Sequence, residues 1–507
     1  MTARAFPLAT LAGLGGLWLA GPARAEVADG KPRSMTLAEA VQLAVRHNPA
    51  LAAAGADVRA AQGAQEAAQG LDDFVVDAAA LWNRSHNALV SGIPVQQPYS
   101  NAISGDLALT KPLATGGRIG LHLTGDYSLT RSILQTGPTP DMTEPSTAKD
   151  YAPSVQLRLE HPLLRGFGSE VARADRWRAR GQRDVAGAQL EGAAAALVRD
   201  VASAYWELAF ASQEAQIRAS AAAAAREQLQ RVAANISVGK LPPSASAEVE
   251  VAVALRDDGV LVAQLSVVDA ALTLARLCGL PVTAGTGPLL LAADSPRPPA
   301  RSFDGAELLS AALAHNPQLQ ALRAQRATAA LEVEVTENGL LPQLDIAVSG
   351  GPTADAPTVD ATYHQLSGFK NYVIQAGLIF QQALGRHAAR GARTIAMEGL
   401  QKVRLGEADM ATQVAIAVSH GVAAVSTARQ ETDVLARSTR AAALDLEAEK
   451  ARFDSGRSTS FDVLRRQDAL AAVQLALGRA QVDQLRAIAA LQAATGEILA
   501  DYGVAIP

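Results

Sequence analysis

Two long stretches without proline constrain this chain more than anything else in it. No proline occurs from Leu163 to Leu241, and none from Thr358 to Ile506. Val171–Val238 and Ala388–Ser455 are rich in Ala, Gln, Arg and Glu, the residues that cost least in a helix. In the first stretch Leu190, Leu197, Val201, Tyr205 and Leu208 recur at helical spacing, so a single stripe faces a partner and the remainder stays polar. At about 1.5 Å per residue each stretch predicts a rod about 100 Å long. A rod with one narrow apolar stripe has no core of its own and must lie against other helices. The composition agrees, because apolar residues make up 49% of the chain and aromatics only 4%. Such a mix suits helices packed side by side rather than a thick aromatic core.

Each rod has a predicted return. Val238-Gly239-Lys240-Leu241-Pro242-Pro243 turns the first into a helix from about Ser244 to Gly279, and Phe453-Asp454-Ser455-Gly456-Arg457 turns the second into one from about Thr459 to Thr495. Both returns close on glycine, in Arg276-Leu277-Cys278-Gly279-Leu280 and Ala493-Ala494-Thr495-Gly496-Glu497. A second duplication precedes the rods. Met35–Gly70 reads as two helices broken at His47-Asn48-Pro49, where Asn48 caps and Pro49 opens the next helix. Ala314-His315-Asn316-Pro317 repeats that break after an apolar-periodic helix starting near Phe303. The chain is therefore expected to hold two internal repeats, joined by a Pro/Gly/Ala-rich linker over Pro281–Pro299.

Between each helix pair and its rod the period changes from helical to alternating. Ile119, Leu121, Leu123, Tyr127 and Leu129 share one face, and His122, Thr124, Asp126 and Ser128 the other. Val155, Leu157 and Leu159 alternate with Gln156, Arg158 and Glu160; Leu107 and Leu109 with Asp106 and Thr110. Asp73–Asn83, Leu344–Ser349 and Tyr372–Gln381 behave similarly. Soluble β-sandwiches give this pattern, and so do transmembrane β-barrel strands of about ten residues. The N-terminus favours the barrel: Arg4, the apolar run Leu8–Ala20 and Ala23-Arg24-Ala25 read as a secretory signal peptide over 1–25. No later apolar run is expected to reach the ~18 residues of a membrane-spanning helix, so membrane insertion would rest on strands.

The two halves differ in length. Pro49 and Pro317 lie 268 residues apart but Gly239 and Gly456 only 217, so the first half is longer by 51. The surplus falls at about Asn83–Lys149. It predicts an additional hairpin (Ile103–Pro112 with Arg118–Thr130) beside Gly116-Gly117, placed on the outer side, where it either widens or caps a barrel.

Enzymatic readings find little support. There is no H-E-x-x-H, no G-x-S-x-G and no P-loop, and Gly166-Phe167-Gly168 lacks the third glycine of a dinucleotide loop. Eight scattered histidines and the single Cys278 give no metal-ligand spacing, so neither a metal nor another cofactor is expected. A formal charge of −5 without a basic patch argues against nucleic acid.

Taken together, the residues resemble the TolC-like outer-membrane efflux protein family over nearly the whole mature chain. The resemblance rests on the unit Leu37–Pro49, loosely repeated at Ala306–Pro317, and on Leu159-Glu160-His161-Pro162-Leu163-Leu164-Arg165-Gly166-Phe167-Gly168. It rests also on Ala204-Tyr205-Trp206-Glu207-Leu208 and Gly456-Arg457-Ser458-Thr459-Ser460-Phe461-Asp462-Val463-Leu464. It implies a mixed α and β membrane protein, in which a homotrimer forms a transmembrane β-barrel continuous with a long-helix α-barrel, a coiled-coil tunnel. The first repeat would span 26–290, with equatorial helices, strands at about 73–163 and a helix hairpin at about 169–279. The second would span 291–507, with helices at 303–340, strands at about 343–382 and a hairpin at about 386–496. The implied function is export across the periplasm and outer membrane of a Gram-negative bacterium, as the outer component of a tripartite efflux or type I secretion system. Its implied partners are outer-membrane lipid, a periplasmic adaptor (membrane fusion) protein and an inner-membrane pump. A non-conducting periplasmic coiled-coil scaffold anchored in the outer membrane is the alternative.

Pro112 and Pro162 fall where strands end, which suits residues without an N–H. The second-half counterpart is Gln382, a departure from the family's proline. The family's acidic V-D-V-L-D motif at the tunnel mouth reads Phe461-Asp462-Val463-Leu464-Arg465 here, with Asp462 kept and Arg465 in place of the second carboxylate. Glu248 lies nine residues past Gly239, as Arg465 lies nine past Gly456. Asp462, Arg465 and Glu248 are therefore the candidate periplasmic gate, with Glu248 and Arg465 pairing between neighbouring hairpins. The turns at Gly239, Gly456 and Arg457 are the candidate adaptor contacts.

Overall fold

The computed structural model describes residues 33–88, 95–135, 143–281, 290–299, 301 and 303–506. The expected signal peptide at 1–25 and residues 282–289 of the expected linker lie outside them. The first half comprises β1 (Arg33–Met35), α1 (Leu37–His47), α2 (Pro49–Gln69), β2 (Val75–His86), β3 (Val95–Pro112), β4 (Arg118–Gln135), β5 (Thr143–Tyr151), β6 (Ser154–Pro162), α3 (Ser169–Ala172), α4 (Ala174–Ser237) and α5 (Ala245–Leu277). The second comprises β7 (Leu290–Ala292), α6 (Gly305–His315), α7 (Pro317–Asn338), β8 (Gln343–Thr353), α8 (Val359–Ser367), β9 (Asn371–Gln381), α9 (His387–Asp454), α10 (Ser460–Thr495) and α11 (Ile498–Asp501).

The rods form as their composition dictates: α4 runs for 64 residues and α9 for 68. Each folds back on its return helix, α4 on α5 and α9 on α10, and α10 packs against α4. The lower body is thus a row of four helices, α5-α4-α10-α9. Nearer the sheet the row is α2-α4-α7-α9. Ion pairs stitch this upper row, with Arg178 to Glu332 between α4 and α7, and Arg393 to Glu337 and Arg326 to Glu407 between α7 and α9.

The main core lies midway, where α1, α5, α11 and the small β1–β7 sheet close on α4. Val198, Val201, Tyr205 and Leu208 of α4 are fully buried there with Val41, Leu274, Cys278 and Ile498. This accounts for the Ala-Tyr-Trp-Glu-Leu segment. The Tyr205 hydroxyl sits 2.8 Å from the Asp294 carboxylate and 3.0 Å from the Met35 carbonyl, and accepts from the Asp294 N–H. Asp294 in turn accepts from the Leu37 N–H, which fixes the entry into α1. Burial raises the Tyr205 hydroxyl pKa far above its ordinary value and pushes the Cys278 thiol up to about 11, so both stay neutral.

The His-Asn-Pro breaks are built alike. Asn48 Oδ1 accepts from the N–H groups of Ala50 and Leu51, while its Nδ2 donates to the Leu277 carbonyl at the end of α5. Asn316 Oδ1 accepts from Gln318 and Leu319, and its Nδ2 donates to the Ala494 carbonyl near the end of α10. One asparagine thus caps the outgoing helix and pins the returning one. Gly279, at φ +68°, sits so close that a Cβ there would lie 2.2 Å from the His47 carbonyl oxygen.

Three helices differ from expectation. α8, capped by Thr358, occupies the connection between β8 and β9, where no helix was expected. By length and composition α5 and α9 would each pass as a membrane span, although no such segment was expected after the N-terminus. Both stand at an edge of the helix row, which explains an apolar surface that the chain itself leaves uncovered.

Candidate channel wall and mouth

Among the described residues seven strands form one antiparallel sheet in the order β2-β3-β4-β6-β8-β9, with β5 extending the β6 side of β4. Register carries the alternation of single strands across the whole sheet. Leu109 stands opposite Val76 and Leu121, Leu121 opposite Leu157, and Leu157 opposite Gly350, which faces Ile374. Neighbours in register share a face. One face therefore carries Val76, Trp82, Ile103, Leu107, Leu109, Leu121, Leu123, Tyr127, Val155, Leu157, Ile346, Val348, Ile374, Leu378 and Phe380. The other carries Asp77, Ser104, Asp106, Thr110, His122, Thr124, Asp126, Gln156, Arg158, Glu160, Asp345, Ser349 and Gln375. Apolar residues intrude on the polar face at Val75, Leu81, Val373 and Ile379 on the edge strands, and at Val95 and Leu134 at the far ends of β3 and β4. The apolar face is exposed, with Val76 and Trp82 each at 65% and Ile374 at 71%. Trp82, Tyr99, Tyr127, Tyr151 and Tyr372 gather toward the end of the sheet away from the helices, as aromatic girdles do at a membrane interface. There Tyr127 packs on Tyr151 and Arg84 lies over Tyr99.

The structure places the expected additional hairpin as β3–β4, but turned over. Its tight turn, Leu113–Gly117, points to the helices and not outward. The topology requires this: α2 feeds β2 upward and β6 returns to α4, so the middle connection of four strands must come back to the helix side. The turn is closed by Leu113 N–H to the Gly117 carbonyl and Gly116 N–H to that of Leu113. It docks on the strand–helix junction through Gly168 N–H to the Thr115 carbonyl and through Thr115 Oγ1 to His161 Nε2 at 2.7 Å. Beside it, Lys111 donates to the Asp72 carbonyl, and the Asp72 carboxylate pairs with Arg173 and Arg176. A Cβ on Gly116, at φ +97°, would lie 2.3 Å from the Gly166 carbonyl oxygen, so only glycine lets the turn seat there. β3 and β6 end at Pro112 and Pro162 as expected. In the second half, where proline is missing, the bend into α9 uses consecutive positive φ angles at Gly385 (+93°) and Arg386 (+52°).

The far ends of the two helix hairpins match in detail. Gly239 has φ +74° and Gly456 φ +75°. Lys240 N–H reaches the Asn235 carbonyl, and Arg457 N–H the Arg452 carbonyl, each a Schellman closure. Val238, Gly239, Gly456 and Arg457 are exposed at these tips.

The three candidate gate residues fall into two classes. Asp462 belongs to the start of α10. Its carboxylate accepts from the Thr459 hydroxyl at 2.6 Å and from the Thr459 N–H, while Thr459 Oγ1 accepts from the Asp462 N–H, a capping box. The Thr459 hydroxyl, helped by Arg465 and Arg466, holds the Asp462 carboxyl below its ordinary 3.8. Glu248 and Arg465 are exposed, and among the described residues no ion pair joins them within the chain. Their neighbours Val249 and Leu464 converge on Val232 of α4 in a small apolar cluster, so the two charges stand at one level on either side of α4.

Sequence reasoning missed a largely buried polar contact of this region. Arg256 of α5 crosses to α10, and its side chain is only 10% exposed. Its Nη2 donates to Asp468 Oδ1 at 2.7 Å and to the Leu464 carbonyl at 3.2 Å. Its Nη1 donates to Gln467 Oε1 at 3.1 Å and to the Ala221 carbonyl of α4 at 3.3 Å. One guanidinium thereby ties three helices and both hairpins. Higher up, Glu207 of α4 pairs with Arg479 of α10 at 2.8 Å. Inside the second hairpin the buried Glu449 accepts from Arg452 at 2.7 Å and from the Ser458 hydroxyl.

Residues 308–497 match the sequence profile described as outer membrane efflux protein. Solved structures extend the likeness to nearly the whole chain. VceC of Vibrio cholerae aligns at 16% identity and TM-score 0.62, covering 91% of this chain and 96% of its own. The Campylobacter jejuni CmeC outer membrane channel aligns at 14% and 0.63, covering 98% and 94%. The Neisseria gonorrhoeae MtrE outer membrane channel, solved in its open state, aligns at 15% and 0.64, covering 91% and 89%. At such identities the structures establish a shared fold, and the stretch that matches the profile fills most of its second half. No curated protein sequence matches the chain.

Proposed function

We propose that this chain is one subunit of an outer-membrane channel-tunnel, a homotrimer that exports substrates across the periplasm and outer membrane. The observation that carries this reading is the sheet. One face is apolar from edge to edge, the other is mainly polar over its inner strands, and the strands run directly into helices long enough to cross a periplasm. A two-faced sheet with two unpaired edges, β2 and β9, cannot sit in lipid alone, because its edge N–H and C=O groups would lack partners. The helix row has matching open edges. α5 exposes Val251, Leu255, Leu261, Val262 and Leu265, and α9 exposes Ile395, Leu405, Ile416 and Leu444. All these edges lie on opposite sides of the chain, so copies joined head to tail cover all of them at once and close a ring. The two halves then act as quasi-equivalent sectors, and three chains give a quasi-sixfold tunnel.

In this assembly the hairpin tips form the periplasmic mouth. Gly239, Gly456 and Arg457 contact the adaptor, beyond which stands the inner-membrane pump of a tripartite efflux or type I secretion system. Glu248 of the first hairpin and Arg465 of the second stand at this mouth, and pairing between neighbouring hairpins helps hold it shut together with Arg256. Purification in mild detergent followed by native mass measurement and planar-bilayer recording tests the reading. A trimer with a mostly closed, gateable conductance is expected. A monodisperse monomer of intact helicity, or release from membranes by alkali alone, would overturn it.

A further inference from the structure

We infer that the β3–β4 hairpin is part of the barrel wall, so that each subunit contributes six strands and the assembly closes an eighteen-stranded barrel through β9 of one subunit and β2 of the next. This rests on the trimeric reading above, and adds to it a strand count and a seam.

Three observations carry it. The first is register: β3 is paired to β2 along its full helix-proximal length, and β4 to β3 from Arg118 to Thr130. β2 and β6 therefore have no direct contact, and removing the hairpin from the wall would break a continuous ladder. The second is chemistry. Ile103, Leu107, Leu109, Leu121, Leu123 and Tyr127 extend the apolar face of the flanking strands without a break, and Asp106, Thr110, His122, Thr124 and Asp126 extend the polar one. A hairpin that capped a pore would have no reason to carry a lipid face in phase with its neighbours. The third is the docked turn: Leu113–Gly117 is held at the strand–helix junction by Thr115, His161 and the Gly116–Gly166 approach.

Direction and size agree with this closure. β2 leads away from the helices and β9 leads back to them, so β9 meets the next β2 antiparallel, as every other pair in the sheet. Strands about 4.8 Å apart and tilted about 40° give eighteen a circumference of roughly 110 Å, against roughly 75 Å for twelve. The adjoining ring holds four helices per subunit, α2, α4, α7 and α9. Twelve helices at about 9–10 Å spacing have a circumference of roughly 110–120 Å. Six strands per subunit therefore let sheet and helices meet with matching girth. Barrels of this strand number leave an aqueous channel. Cargo selection then falls to the helical mouth and not to the membrane pore.

Thiol cross-linking in the full-length protein, extracted from membranes after reaction with a short bifunctional reagent, tests the inference. Cys278 is buried and serves as the unreactive background. A78C with L107C should link within one chain, because Ala78 and Leu107 are register partners. A78C with V155C should not, since two intervening strands separate them by about 14 Å. A78C combined in turn with I374C, A376C or L378C should give covalent dimers and trimers in at least one pairing. An efficient 78–155 link would place the hairpin outside the wall and overturn the inference. So would a native trimer in which no β2–β9 pair links subunits. Absence of any trimer by native mass measurement would instead overturn the assembly, and the 78–107 link would still report the hairpin's place.

Discussion

Arg256→Ala is the most informative single change at the mouth. Hydrogen bonds from a charged donor contribute about 1.5–3 kcal/mol in buried settings. Here Asp468 is 67% exposed, and screening of such a partner reduces the figure to about 1–2 kcal/mol per subunit. The remaining contacts go to Gln467 and to the Leu464 and Ala221 carbonyls, whose loss leaves the last two to their own helices. If the three mouths of a trimer open together, the closed state loses about 3–6 kcal/mol, and the open-to-closed ratio rises by about two to four orders of magnitude. Single-channel recording in planar bilayers reads this as longer and more frequent openings. Arg256→Lys, which keeps the charge but not the fork, should fall between the two. A variant that conducts like the parent, with trimer and helicity intact, would show that the mouth is held by something other than this bridge.

Three further outcomes follow from the geometry. Gly279→Ala and Gly239→Ala impose the same left-handed penalty of about 1–2 kcal/mol, but only the first drives a Cβ into a backbone carbonyl, so thermal melting in detergent should drop clearly more for Gly279→Ala. Asp462 has a depressed carboxyl pKa, so its stabilisation of the α10 start is present above 3.8 and is lost as pH falls through the lower folded value. Asp462→Asn should flatten that acid dependence of hairpin-tip hydrogen exchange, and an unchanged profile would refute the capping role. Arg465→Glu should raise resting conductance at low salt, where exposed charges are least screened, and Glu248→Arg added to it should lower it again; identical traces from single mutant and parent would remove the Glu248–Arg465 pair.

The rods were legible because a helix leaves local marks. Absence of proline, cheap helix formers, a stripe at period 3.6 and glycine just past each end locate α4, α5, α9 and α10 to within a few residues. The His-Asn-Pro breaks were equally plain, since one asparagine and one proline fix a local turn. What escaped reading depends on contacts between distant segments. Arg256 sits in Ala-Leu-Arg-Asp-Asp and looks like an ordinary solvated helix charge, and its partner Asp468 is 212 residues away. The hairpin at Ile103–Thr130 was visible by alternation, but its direction was not, because periodicity gives the face of a strand and never which end of the sheet its turn occupies. α8 carries only a threonine cap and nine residues, too few for a clear period. The second-half junction was obscured because Gly385 and Arg386 make by backbone angle the bend that proline marks elsewhere.

The twin asparagine pins have a mechanical consequence. Asn48 and Asn316 fasten the ends of α5 and α10 at the waist of the molecule, so everything beyond them behaves as an arm with its fulcrum there. A helix of 33 residues makes an arm about 50 Å long. Moving its tip by 5 Å then takes a swing of only about 6°, spread over nine turns of helix that each bend imperceptibly. The waist and the sheet above it can stay still throughout. A partner that grips the exposed tips acts with the full length of that arm, and a modest push there outweighs contacts seated close to the fulcrum. This leverage favours a lock placed toward the tips, in the region where Arg256 stands.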